Sequence, residues 1–218
     1  MSLLEFARGP GMHWAVIILI AGMVWRIMGA LLMTGSRDRS TARQGGAGAG
    51  LRLVFRRFWP HREFIRPTLF HLVAGYVLHI GLFVVIFLFA PHMLWFADLS
   101  GLPHWPGLPN NLVMIAGALT AASLVAFVLR RMTHPVMRRI SGLDDYASNL
   151  VTLAPVVTGM LAFAHVPIAR YETLLAVHLL CVELLFVWMP FSKLAHVLLF
   201  IPSRFQLGAA LGRRGVKA

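Results

Sequence analysis

Four histidines stand in or beside two long apolar segments. His79 and His92 lie on or just beyond Phe70–Ala90, and His178 and His196 lie on Leu174–Ile201. Ionisable side chains inside a membrane span are costly and as a rule serve a function. Imidazole is an axial ligand of haem iron. Two helices with two histidines each therefore have the chemistry to hold two bis-histidine haems b, stacked across a bilayer, as an electron wire.

The spacings set how such pairs form. His178 and His196 are 18 residues apart, which is five turns of an ideal helix. Both then face one way, ~27 Å apart along the axis. The partner segment offers His71, His79 and His92. His71 and His79 are 8 residues apart, only ~12 Å, which crowds two haems. His79 and His92 are 13 apart, or ~20 Å. That spacing puts them on different sides of an ideal helix, but Pro91 bends or ends the helix there. By depth, His79 pairs with His196 toward one face of the membrane and His92 with His178 toward the other, with His71 the rival of His92. The competing reading is that membrane histidines bond between helices and ligate nothing.

The segments that must position these residues are read from hydropathy. Of 218 residues, 58% are hydrophobic and 13% charged, with mean hydropathy +0.74. A soluble domain carries roughly 25% charged residues, so the chain is expected to be an integral membrane protein. It reads as a single membrane domain over residues 1–218, an all-α five-helix bundle without a separate soluble domain or an internal repeat. The expected spans are about 11–33, 68–95, 111–129, 146–165 and 172–201, each long enough for ~30 Å of hydrocarbon.

Charge sets the expected topology. The loop 35–67 holds Arg37, Arg39, Arg43, Arg52, Arg56, Arg57, Arg62 and Arg66. Arg130, Arg131, Arg138 and Arg139 follow the third span, and Arg204, Arg213, Arg214 and Lys217 fill the tail. Pro91–Asn110 has no Lys or Arg. The positive-inside rule then puts the N-terminus outside and the C-terminus in the cytoplasm, as in a multi-pass protein of a bacterial inner membrane. The net charge of +12 is explained by these loops, so no nucleic-acid partner is expected. Of the 20 basic residues only Lys193 and Lys217 are lysine. Arginine suits lipid phosphates, haem propionates or an acidic partner face.

The remaining features are secondary. The single cysteine, Cys181, excludes an internal disulfide and a Cys-ligated cluster. Met1–Pro10 lacks the pattern of a signal peptide. Gln44–Gly50 reads as a flexible link. Leu51–Arg66 reads as an amphipathic surface segment or a docking face for a cytoplasmic subunit. Glu183 is a candidate proton relay, and Lys193 a candidate partner for a haem propionate. Asp98, Arg26, Glu183 and His71 are further polar residues in or beside the apolar segments.

The segment Met189-Pro190-Phe191-Ser192-Lys193-Leu194-Ala195-His196, with Leu78-His79-Ile80-Gly81, resembles the gamma (cytochrome b) subunit family of respiratory nitrate reductase. Phe6-Ala7-Arg8-Gly9-Pro10, Pro91-His92-Met93-Leu94-Trp95 and Asp145-Tyr146 are similar to a sister branch. That branch comprises the haem b membrane subunits of sulfite-reductase-linked, heterodisulfide-reductase-like and hydrogenase complexes. The resemblance covers nearly the whole chain. It implies two haems b between spans two and five, quinone or quinol exchange at one of them, and electron transfer to an iron–sulfur protein subunit and a catalytic subunit. The alternatives kept are a single-haem version and a non-redox membrane anchor or small transporter whose histidines are structural.

Overall fold

The computed structural model describes residues 2–32, 41–43 and 45–216. Arg37, Arg39, Gln44 and Lys217 lie outside the described residues. The chain is all-helical, with no strand among the described residues.

Ser2 opens α1 (Leu3–Phe6) through a reciprocal bond pair with Glu5, which satisfies two otherwise orphaned backbone donors. A π-turn over Ala7–Gly11 contains Pro10 and leads into α2 (Met12–Leu32). Next come α3 (Gly46–Arg56) and α4 (Arg62–Phe87). The helix expected to run on to residue 95 stops at Phe87. Phe89 is extended and Pro91 sits in the first turn of α5 (Ala90–Ser100), where its missing N–H costs nothing. Gly101 ends α5 at φ +69, a conformation that glycine adopts without a Cβ penalty. The long α6 (Asn110–Thr133) and the short α7 (Pro135–Ile140) precede α8 (Leu143–Phe163).

The expected continuous helix 172–201 is also interrupted. α9 (Tyr171–Trp188) ends in a 3-10 turn, Met189–Phe191, and Ser192 is extended. A second 3-10 turn, Lys193–Ala195, then leads into α10 (His196–Arg213). Pro190 cannot supply the N–H that would carry α9 onward. Six helices are thus long and apolar enough to cross a membrane: Leu3–Leu32, Arg62–Phe87, Asn110–Thr133, Leu143–Phe163, Tyr171–Phe191 and Lys193–Arg213. This fits a multi-pass membrane protein.

Packing runs in a row, α4 on α6, α6 on α8, α8 on α9, and α9 on α2. α4 makes no comparable packing with α9 or α10 among the described residues. Buried hydroxyls turn back on their own helices: Thr120 donates to the Ala116 carbonyl at 2.7 Å and Thr152 to that of Ser148 at 2.7 Å. Small residues let helices approach. A Cβ on Gly22 would fall 2.5 Å from the Cβ of Pro190. The glycine-rich segment expected to be a link is instead the start of α3, because its glycines form a close seam with α10. A Cβ on Gly208 would lie 2.7 Å from the Ala49 carbonyl oxygen, and one on Gly50 would lie 2.8 Å from that of Phe205.

That seam leaves no room for a side chain. Gly208→Leu is expected to destabilise the protein by about 1–3 kcal/mol through overpacking, whereas Gly48→Ala, with nothing within 4 Å of its Cβ position, should not. Thermal unfolding of the two variants in detergent checks this, at roughly 2–4 °C per kcal/mol for a chain of this size.

Candidate functional site

The four histidines meet in the two expected pairs. The ring centres of His79 and His196 are 6.0 Å apart with planes at 71°, and those of His92 and His178 are 6.1 Å apart with planes at 14°. Each pair spans α4 or α5 on one side and α9 or α10 on the other, across the interface where these helices do not pack closely. His92 and His178 are partly buried, while His79 and His196 are exposed.

Each ring is oriented by its own Nδ1. His79 Nδ1 donates to the Gly75 carbonyl at 2.7 Å and His196 Nδ1 to the Lys193 carbonyl at 2.8 Å. His92 Nδ1 donates to the Val85 carbonyl at 2.8 Å and His178 Nδ1 to the Pro155 carbonyl at 3.1 Å. A carbonyl only accepts, so each Nδ1 carries the proton and each Nε2 keeps its lone pair. This orientation is the usual outer arrangement of a metal-ligating histidine. No hydrogen bond joins the two rings of either pair among the described residues, although His92 and His178 each bond to a carbonyl of a neighbouring helix.

The breaks in the helices create this geometry. Val85 is one of the last carbonyls of α4, and the extended Phe89 leaves it without its usual backbone donor. His92, turned by the break, takes that carbonyl. The second break carries His196. The five-turn argument for His178 and His196 assumed a continuous helix. Their shared side is set instead by the 3-10 turns, which are fastened to the start of α8. The Asp144 Oδ2 accepts the Lys193 N–H at 3.0 Å, and Asp145 Oδ2 accepts the Lys193 ammonium at 2.7 Å. Asp145, 7% exposed, also accepts the Gly142 N–H at 2.9 Å and pairs with Arg131 at 3.3 Å. Lys193, read from sequence as a propionate partner, is thus engaged by Asp145.

The rival His71 faces no histidine ring among the described residues. Its ring lies against Phe70 and Phe127, at 5.5 Å and 6.0 Å. Glu183 is buried against the π-turn, and a Cβ on Gly11 would sit 2.7 Å from its Oε2. Asp98 is exposed on α5. Two further residues join the site. A Cβ on Gly159 would stand 2.9 Å from the His178 ring, so glycine there admits the imidazole. Arg26 and Arg204 line a cavity of about 410 Å³ with His196, two guanidinium groups suited to carboxylates. Neither Gly159 nor Arg204 stood out in the sequence, because small residues and tail arginines recur throughout it.

The donor set fits haem. Two metal–nitrogen bonds of about 2 Å, with the half-width of each ring, place imidazole centres about 6 Å apart. Ligation fixes the nitrogen–metal–nitrogen line and leaves rotation about it free, so both plane angles are compatible. No group of three or more His, Cys, Asp or Glu gathers among the described residues. A metal held by either histidine pair must therefore take its other ligands from outside the chain, as a porphyrin supplies them.

Asp145→Asn removes the charge that joins α6, α8 and the turn before His196. Its expected cost is about 1–3 kcal/mol, between an exposed pair and a fully buried one. Lys193→Met should cost less, since Lys193 is 61% exposed. The unfolding midpoints of the two variants test the order.

The chain is 31% identical over 216 residues to a protein of Nitratidesulfovibrio vulgaris (strain Hildenborough), covering 93% of this chain and 91% of the relative. The relative is described only as "Protein", and brings no activity with it. No family model matches the chain, and no solved structure matches it. The identity extends over nearly the full length of both proteins, and the chain belongs to the same family as this Nitratidesulfovibrio vulgaris protein.

Proposed function

We propose that the chain is a dihaem cytochrome b, the membrane subunit of a respiratory oxidoreductase complex. It carries electrons between the quinone pool and a peripheral iron–sulfur or catalytic subunit, in the manner of the nitrate reductase gamma family it resembles. The observation that carries this reading is the pairing of four histidines, each with Nδ1 committed to a carbonyl and Nε2 free. Two ring-centre distances of 6.0 and 6.1 Å support it. The charge distribution supports five spans in a bacterial inner membrane, with an external N-terminus and the basic loops and tail inside.

In this reading haem supplies the one-electron chemistry, and the protein supplies ligands, low dielectric and access. His79 and His196 hold the cytoplasm-side group, and His92 and His178 the outer one. The four carbonyl bonds keep the rings from turning away and raise the basicity of the ligating nitrogens. Arg26 and Arg204 neutralise carboxylate side arms beside His196. The clamp on Lys193 fixes the turn from which His196 projects. Substrate chemistry belongs to a partner subunit.

A reduced-minus-oxidised visible spectrum of the purified chain, with haem quantified per polypeptide, tests the reading. Two low-spin haems b per chain are expected. His92→Ala and His178→Ala should each lower the ratio from two to one, and His71→Ala should leave it at two. A colourless protein after reconstitution would sink the electron-transfer reading and leave an anchor or transporter.

A further inference from the structure

A second cavity, of about 460 Å³, opens where α3 turns into α4 and faces α10. Its lining combines the guanidinium groups of Arg57 and Arg204 with the rings of Phe58, Trp59 and Phe64. No acidic side chain lines it among the described residues. The two guanidinium groups offer forked donors to an anion.

The walls are held in place before any ligand arrives. The Arg204 guanidinium lies over the Phe58 ring at 5.4 Å and the Phe200 ring at 5.3 Å, contacts that fix the plane of the fork. Its Nη1 is buried and has no hydrogen-bond partner among the described residues. A buried donor left unpaired is costly. The Tyr76 hydroxyl donates to the Phe58 carbonyl, and the Trp59 and Tyr76 rings lie 6.0 Å apart. These contacts tie the turn between the helices to α4.

The ligand chemistry follows from the lining. Forked guanidinium donors match phosphate oxygens. The setting favours a phosphate that carries an apolar body. Trp59 is 72% exposed beside the cavity, and the exposed apolar residues Phe64, Leu69 and Val73 continue from it along α4. Indole and arginine at the end of an apolar helix mark the headgroup level of a bilayer, and anionic headgroups are enriched on the face where arginines gather. The geometry points to a binding site for the phosphate headgroup of an anionic phospholipid between the α3–α4 turn and α10, with its acyl chains along the outer face of α4. The site requires only that the chain lies in a membrane; it shares Arg204 with the cavity beside His196, whereas Arg57 lines this cavity alone.

The test uses the full chain in detergent after exhaustive delipidation. Short-chain phosphatidylglycerol and phosphatidylcholine of equal chain length are titrated, with tryptophan fluorescence and the unfolding midpoint as readouts. Wild type is expected to bind phosphatidylglycerol at least about tenfold more tightly, the scale of one or two good phosphate contacts. Arg57→Gln, at an exposed position, should weaken that preference severalfold, and R57Q/R204Q should abolish it. R138Q, which removes an exposed arginine outside the cavity, should leave it unchanged. Equal binding of the two lipids, or an unaltered preference in both cavity variants, would overturn the site. An equal loss in R138Q would reduce the effect to general charge and overturn it as well. Inorganic phosphate displacing the lipid at matched concentration would overturn the lipid assignment in favour of a soluble anion. Helical content by circular dichroism shows whether each variant folds, and R57Q carries the test should the double variant fail to do so.

Discussion

In an apolar bundle every polar group must find a partner, because neither lipid nor packed side chain supplies one. Most of this chain's polar groups obey that constraint in plain ways. Thr120, Ser123 and Thr152 return their hydroxyl protons to carbonyls one turn back on their own helices. The Trp188 indole N–H is taken by Ser148, and the Asp145 carboxylate by Gly142, Arg131 and Lys193. Against that background the few exceptions stand out. They include the Nε2 lone pairs of four histidines, which no hydrogen bond takes among the described residues, with buried nitrogens of Arg130, Arg131 and Arg204 and one oxygen of Glu183. The histidine exceptions are arranged in two opposed pairs, and Arg204 lines two cavities.

The two helix breaks arise from proline and do the positioning. A continuous helix would have spread His79 and His92 around its surface. Ending α4 at Phe87 and restarting at Ala90 re-aims His92 and also frees the carbonyl that orients it. At Pro190 the same device lets the chain pass through an extended Ser192 and begin a new helix at His196 itself. The acidic start of α8 makes this second break rigid. Its two aspartates hold both the backbone and the side-chain nitrogen of Lys193, and the carbonyl of that same residue orients His196, three positions on.

Hydropathy made the apolar helices and the pairing of the histidines legible, because both follow from length and depth. The way the pairs are built was less legible. Facing of His178 and His196 was inferred from an unbroken helical period, and the structure reaches the same side by another route. Pro91 signalled the first break. Pro190 carried the same signal, but it was embedded in a run so apolar that hydropathy favoured one long helix. The Gln44–Gly50 segment reads as a link because glycine and alanine carry no apolar period. Its role is steric, and it emerges only when Gly208 and Gly212 of α10 are placed opposite. Asp145 was visible as a residue, but its contacts join positions 131, 142 and 193, separations that local pattern does not reach.

The spacing of α4 from α9 and α10 bears on how the bundle holds together. α4 rests mainly on α6, where Gly81 and Thr120 meet with no room for a larger residue. On the opposite side it presents histidines to helices that it does not touch closely. Direct knob-into-hole packing there would require α4 to move inward, and the rings of His79 and His92 would then collide with their partners. The histidines thus act as spacers, and in the proposed reading as ligands too. A group held between them would bind the folded arrangement and not the unfolded chain, and so would stabilise it in proportion to its occupancy. In the proposed reading, ligation and the closing of this bundle are one event, in keeping with rings fixed by their own helix or its neighbour and, among the described residues, not by the ring they face.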